Sequence, residues 1–344
     1  MVEGGGEPAT ALALVSAGAI GVALNLYALL GGADFGGGVW DLLASGPGRE
    51  EQRRAVEEAI GPIWEANHVW LILAVVLLFT AFPPVFADYM TSLHLPLILA
   101  LLGIVLRGSS FAFRSYGART GPEQRAWGRL FAVASTVTPF ALGVCVGSAV
   151  SGRAAVADGT PVHGFVGSWL APFPLAVGLF AVTLFAFLAA VYLTVETEGR
   201  TREDFRRRAL GAGVAAGAAA AVCLLLARED APLLWEAIGR GPGAVAFQAA
   251  TALAAVGALA ALLRRSFRVA RALAVVQVSL VVWGWLAAQY PWLVPTDLTV
   301  AGAAAPEATL RAVAVALAAG GALVLPAFVY LYRAYGKFGA RAGD

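Results

Sequence analysis

Charge is what this sequence has least of. Only 13% of its 344 residues are Asp, Glu, Lys or Arg, while 59% are hydrophobic. A soluble domain carries about 25% charged residues, so there is too little polar surface here to coat a globule, and a soluble enzyme of this length is excluded. The formal charge of +2 excludes a nucleic-acid partner as well, because a phosphate-binding surface needs a dense basic stripe. Cysteine is scarce: Cys145 and Cys223 lie inside apolar runs, without the C-x-x-C or Cys/His spacing of a metal site or disulfide framework. Both read as small buried fillers. Histidine is limited to His68, His94 and His163. His68 and His94 lie at opposite ends of an apolar run, most of a span of about 30 Å apart, so the two cannot share one haem iron. The chain is therefore expected to hold no haem and no metal of its own.

Long apolar runs are what the sequence has in abundance. Nine windows are long enough to cross a hydrocarbon core of about 30 Å: roughly 9–31, 64–87, 93–112, 129–150, 169–195, 207–227, 244–263, 271–290 and 310–332. They are too long and too uniformly apolar for the alternating strands of a barrel. The expected fold class is an all-α polytopic membrane protein with nine transmembrane helices, in which residues 1–344 form a single integral membrane domain. Residues 1–8 carry Glu3 and Glu7 but no basic residue, so they lack the n-region of a cleaved signal peptide, and the first run is expected to be a retained helix.

Lys and Arg set the expected orientation. With the N-terminus outside, nineteen of the 24 basic residues fall in inner segments, four (Arg153, Arg228, Arg240 and Arg311) fall outside, and Arg107 lies within the third run. The C-terminus is then expected inside. The inner connection 32–63 carries a charged amphipathic stretch that reads either as a short surface helix or as a solvated linker. Gly/Ala-rich windows such as 211–222 read as close helix packing.

Ionisable groups at membrane depth are costly and are functional candidates by default. Asp34 is expected just past the end of the first helix, in G-G-A-D-F-G-G-G. Glu65, Asn67 and His68 open the second, in W-E-A-N-H-V-W. Asp34 and Glu65 then share one depth near the inner face, where a carboxylate pair can pass protons inward. The competing reading makes Glu65 a helix N-terminal charge and Asp34 an interface residue. Asn67 and His68 need polar partners inside an apolar span. Arg107 calls for a carboxylate or carbonyl partner, or snorkels to the interface. Glu196 and Glu198 read as interface residues, and Gln248 and Gln277 as candidates for bonds between helices.

These same segments carry a family resemblance. G-A-D-F-G-G-G, I-G-P-I-W-E-A-N-H-V-W-L-I, F-P-P-V-F-A and L-P-L-I-L-A-L-L-G-I-V-L-R-G-S-S-F-A-F-R resemble subunit II of the cytochrome bd-type quinol oxidases. Y-L-T-V-E-T-E-G and Y-P-W-L-V-P-T-D-L-T-V-A-G are similar too. The resemblance implies two four-helix bundles plus one peripheral helix. It also implies a partner, subunit I, holding the quinol site, b-type haems and a d-type haem, in an enzyme that reduces dioxygen to water with protons from the cytoplasm. A small accessory subunit, membrane lipid and quinone are further expected partners. By resemblance Asp34 and Glu65 match acids of the family's motifs on a proton route and Arg107 matches the arginine closing the third helix; His68 is expected to add a titratable site to that route, Asn67 and Arg107 are expected to be structural polar groups, and catalysis is expected in no residue of this chain. The sequence departs from the family pattern in having Gly31 three positions before Asp34 where an acid is frequent, and Ala33 for Phe. It also has Glu65 for Asp, Ala66 for Gly, and His68 where Gln or Glu is common. Two readings from other classes compete: a proton-coupled secondary transporter with helices broken at Pro83, Pro84 and Pro139, and a purely structural membrane subunit.

Overall fold

The computed structural model describes residues 7–46, 48–60, 64–116, 122–240 and 243–338, with the side chains of 7–8, 60, 64–66, 115–116, 122 and 331–338 outside that description. The chain folds in the order α1 (Glu7–Leu42), α2 (Arg49–Ile60), α3 (Trp64–Ala81), α4 (Pro83–Ser92), α5 (His94–Tyr116) and α6 (Pro122–Val150). A hairpin, β1 (Val156–Ala157) and β2 (Thr160–Pro161), then leads to a short turn of helix, α7 (Gly164–Gly167), and to α8 (Pro172–Glu196). After α9 (Gly199–Asp230), α10 (Pro232–Arg240), α11 (Ala244–Leu263) and α12 (Phe267–Gln289), a second hairpin, β3 (Trp292–Val294) and β4 (Leu298–Thr299), precedes α13 (Glu307–Phe338). Among the described residues eight helices are long and apolar enough to cross a membrane, or nine if α3 and α4 are one broken span. The chain is a multi-pass membrane protein.

Two of the expected boundaries are wrong for physical reasons. The first helix does not end near residue 31 but runs 36 residues to Leu42, about 54 Å at about 1.5 Å per residue, well beyond what the hydrocarbon core requires. Its glycines do not unwind it. They admit neighbouring helices instead: a Cβ built on Gly36 would stand 1.9 Å from the Phe185 carbonyl oxygen of α8, and one on Gly38 would stand 2.1 Å from Ser135 Cβ of α6. Small residues permit this approach between helices in lipid. Trp40 fixes the same contact from the other side, its indole Nε1 donating to the Ala186 carbonyl of α8 at 2.8 Å.

The second expected span, 64–87, is also not continuous. It stops at Ala81, and α4 leaves α3 at an angle of 116°. Pro83 and Pro84 have no N–H to give the carbonyls of Phe79 and Thr80 four residues back, and at the bend itself the Ala81 carbonyl accepts from the N–H of Ala305, at 2.8 Å. Both loops at this end then clamp α4: Tyr89 Oη donates to the Leu293 carbonyl at 2.6 Å, and Ser92 Oγ to the Ala154 carbonyl at 2.9 Å. Pro139, in contrast, sits inside an uninterrupted α6.

The interior is organised around α8. From Leu184 to Thr194 it is buried on nearly every side, as a helix apolar all round must be if it lies inside a bundle. Residues of α1, α9, α11 and α12 complete that core, among them Leu29, Phe205, Leu262 and Val278. α1 packs against α3, α6 and α8, while α13 touches mainly α1 and α3. The charged stretch after α1 forms a helix, α2, which crosses the end of the bundle: Arg208 of α9 donates to Gln52 Oε1 at 2.6 Å, and Thr201 Oγ1 donates to Glu51.

The α1–α8 contact gives a direct test. Gly36→Ala forces the backbones apart and is expected to lower stability by about 1–3 kcal/mol or more, seen as a lower unfolding temperature in detergent. Gly18→Ala, with nothing within 4 Å of the added carbon, is expected to leave that temperature unchanged or slightly raised.

Candidate functional site

Three helices bring the central polar residues together. Asp34 lies on α1, inside the helix rather than past its end, and is only 6% exposed. Asn67, in the first turns of α3, is 1% exposed, and its amide Nδ2 donates to Asp34 Oδ2. The third member is Arg107 of α5, 1% exposed, whose guanidinium carbon stands 5.0 Å from the Phe35 ring centroid and 5.4 Å from that of Phe131 on α6. Arg107 and Asp34 interact electrostatically, and Tyr27 of α1 shares that field. A carboxylate and a guanidinium removed from water cost several kcal/mol each unless they compensate one another. Here opposite charges, an amide donor and two aromatic faces supply the compensation.

His68 stands at the edge of this group. Its ring is 6.0 Å from both Tyr27 and Phe35, centroid to centroid, in an aromatic corner between α1 and α3. Glu65 belongs to the first turn of α3, but its side chain lies outside the described residues. Gly31 lies against Tyr27: a Cβ there would stand 2.9 Å from the Tyr27 ring, so an acid at this position would require the ring to move.

A second group, missed in the sequence, lies two turns further along α1. Asp41 is fully buried, and its Oδ1 accepts from Arg114 of α5 at 3.0 Å. Arg53 of α2 approaches the same oxygen at 3.5 Å. Arg114 also reaches Glu57 of α2 at 3.4 Å, tying the surface helix to the bundle. The available signal was spacing: Asp34 to Asp41 and Arg107 to Arg114 are both seven residues, about two helical turns. Expecting the first helix to stop at residue 31 hid it.

The other candidates are dispersed. Glu196 pairs with Arg271 at 2.9 Å and Glu198 lies 4.0 Å from Arg202. Gln248 donates to the Ile238 carbonyl of α10, and Gln277 Oε1 is buried without a hydrogen-bond partner among the described residues. Cys145 is buried and Cys223 half-buried, both as free thiols. His68 and His94 are not brought together as a ligand pair. His94 starts α5 beyond the α3–α4 bend, with Nδ1 2.9 Å from the Thr91 carbonyl and its ring against Phe165. His68 is thirteen residues before that bend, about 20 Å along α3. Among the described residues no group of three or more His, Cys, Asp or Glu could hold a metal ion.

Comparison with known proteins agrees with this architecture. The family model described as cytochrome bd terminal oxidase subunit II matches residues 12–335. The chain is 29% identical over 184 residues to the cytochrome bd ubiquinol oxidase subunit 2 of Bacillus subtilis (strain 168), covering 53% of each chain. It is 31% identical over 199 residues to the cytochrome bd-I ubiquinol oxidase subunit 2 of Escherichia coli (strain K12), covering 56% of this chain and 52% of that one. In these alignments the chain spans about half the length of the curated relatives it matches. A chain in the structure of the bd oxidase from Geobacillus thermodenitrificans superposes with a TM-score of 0.80 at 21% identity, covering 94% of this chain and 98% of that one. At that identity the likeness is one of fold.

Removing one buried partner tests the electrostatics. Arg107→Met leaves Asp34 without its cation and is expected to cost about 3–5 kcal/mol, read as a large drop in unfolding temperature in detergent. The double variant Arg107→Met/Asp34→Asn, which removes both charges, is expected to recover most of that loss. Equal damage in the single and double variants would show that the two charges are not coupled.

Proposed function

The chain belongs to the cytochrome bd terminal oxidase subunit II family, and from that premise we propose that it is the non-haem subunit of a quinol:oxygen oxidoreductase. Its partner is a haem-bearing subunit I, in whose b-type and d-type haems electrons from quinol reduce dioxygen to water. This chain supports assembly of that partner and conducts protons toward it from the cytoplasm. In this reading the protein is one integral membrane domain of nine spans, α3 and α4 together making one. The spans form two four-helix bundles with one peripheral helix, the N-terminus outside and the C-terminus inside the cytoplasmic membrane.

The observation that carries the reading is the buried Asp34, held by the Asn67 amide and faced by Arg107. An ionisable group at such depth is rare unless it serves ion or proton movement. Asp34 Oδ2 accepts from Asn67, which fixes the carboxyl on α3, while the Arg107 charge stabilises the carboxylate each time the proton leaves. Glu65 and His68 flank Asn67 in the first turns of α3 and extend the route as further titratable groups. Asn67 and Arg107 position the carrier without carrying protons themselves.

The complex purified through this chain is expected to show haem difference spectra and quinol-driven oxygen uptake. Asp34→Asn preserves the shape and the Asn67 contact but carries no proton. It is expected to keep the haem content and lose at least about tenfold in oxygen uptake, at the low end of proton-transfer effects on rate. Full uptake at full haem content would falsify the proton role, and loss of haem would make Asp34 a structural residue.

A further inference from the structure

The two carboxylate–guanidinium groups form two tiers of one seam. On α1, Asp34, Gly38 and Asp41 fall at intervals of four and three residues, and on α5 Arg107, Ser110 and Arg114 fall at intervals of three and four. Each set therefore lies on one helical face. Phe131 of α6 receives both guanidinium groups, with Arg107 at 5.4 Å and Arg114 at 5.9 Å from its ring centroid. Between the tiers Gly38 has no side chain, and Ser135 of α6 fills its place, with Oγ 2.3 Å from where a Cβ would stand. Ser110 and Ser135 are both fully buried. Neither hydroxyl has a hydrogen-bond partner among the described residues, and neither does Asp41 Oδ2.

Orphan hydroxyls are unusual in a packed interior, where a buried polar group is satisfied by protein or by ordered water. Ser135 stands at Gly38, between two buried carboxylates about 10 Å apart along the helix axis, seven residues at about 1.5 Å each, and Ser110 falls between their arginine partners on the same face of α5. The carboxylates are too far apart for direct transfer between them and close enough for a few bridging waters. The outer tier opens toward the surface: Arg114 contacts Glu57 on α2, whose side chain is 36% exposed, and Arg53 is 24% exposed.

We propose that Asp41 is the intake carboxylate of the proton route to Asp34, working through water held by Ser110 and Ser135. The inference rests on the reading of Asp34 as a proton carrier. Both arginines meet Asp41 at Oδ1, which leaves Oδ2 to take a proton from water at the α2 end. The acid passes it to water on the serine hydroxyls and returns to the carboxylate. That water gives a proton to Asp34 Oδ1, since Asp34 Oδ2 already accepts from Asn67. No bond other than O–H forms or breaks, and Arg53 and Arg114 hold Asp41 in place throughout.

The test uses the haem-loaded complex, with the Asp34→Asn complex as reference. Asp41→Asn keeps an oxygen acceptor for both arginines but carries no proton. At full haem content it is expected to slow quinol-driven oxygen uptake at least about tenfold and to raise the solvent deuterium isotope effect, with Asp41→Glu recovering most of the rate. A merely structural Asp41 would leave the isotope effect unchanged. Ser110→Ala/Ser135→Ala removes both hydroxyls without adding bulk and is expected to slow uptake several-fold with the same isotope signature, which keeps the proposal testable should Asp41→Asn lose haem. Unchanged turnover and isotope effect in the serine pair, or in Asp41→Asn at full haem, overturns the intake role. If Asp34→Asn is slow while these are normal, only the intake role fails; if Asp34→Asn is also normal, the carrier reading fails with it.

Discussion

A carboxylate cannot remain inside an apolar bundle without compensation, and the arrangement of α1, α3 and α5 follows from that constraint. Asp34 is met by the Asn67 amide from one neighbouring helix and by the Arg107 charge from the other. Misplacing either helix by one turn would leave a buried charge or amide unmatched, at a cost of several kcal/mol. In lipid, where apolar packing alone discriminates weakly between helix registers, such polar contacts set register as well as chemistry. Asp41 repeats the solution two turns away with Arg114, and through Arg53 and Glu57 extends it to α2.

That electrostatic frame needs helices close enough to bring short side chains into contact. The glycines of α1 provide the closeness. Gly36 lets the α8 backbone in, and Gly38 lets Ser135 in, so one short segment both packs the bundle and carries its central acid. The same economy accompanies the continuation of α1 through the glycine run: Gly32, Gly36 and Gly38 each have a neighbouring helix pressed against them, and the loss of backbone entropy that glycine incurs in a helix is offset by the contacts it permits. At the opposite end the α3–α4 bend is made by two prolines and closed by hydrogen bonds from both hairpin-bearing loops.

Much of this was legible in the sequence. The apolar windows located the spans, and Asp34, Asn67, His68 and Arg107 stood out because polar groups in such windows need partners. Asp41 did not, because a glycine run reads as a helix end when its neighbours are unknown. A break at Pro83 and Pro84 was legible only as part of the transporter reading; the span reading ran 64–87 straight through it, because the hydropathy continues past the two prolines and carries no information about direction. The family motifs around Asp34 and Arg107 were legible for the same reason that the site is, since both consist of residues that apolar surroundings make conspicuous.

By itself, then, the sequence determined that the chain is a many-helix membrane protein, which residues are anomalous in it, and which family those residues resemble, because hydropathy and local motif are properties of neighbours in sequence. Only the tertiary structure decided that Asp34 lies within a helix and faces Asn67 and Arg107, that Asp41 and Arg114 form a second tier, and that Ser135 enters at Gly38 between the two acids. These are meetings of residues tens of positions apart. They depend on how deeply each helix inserts and which face it turns inward, and both are fixed by close packing at glycines and by the need of buried charges to find one another.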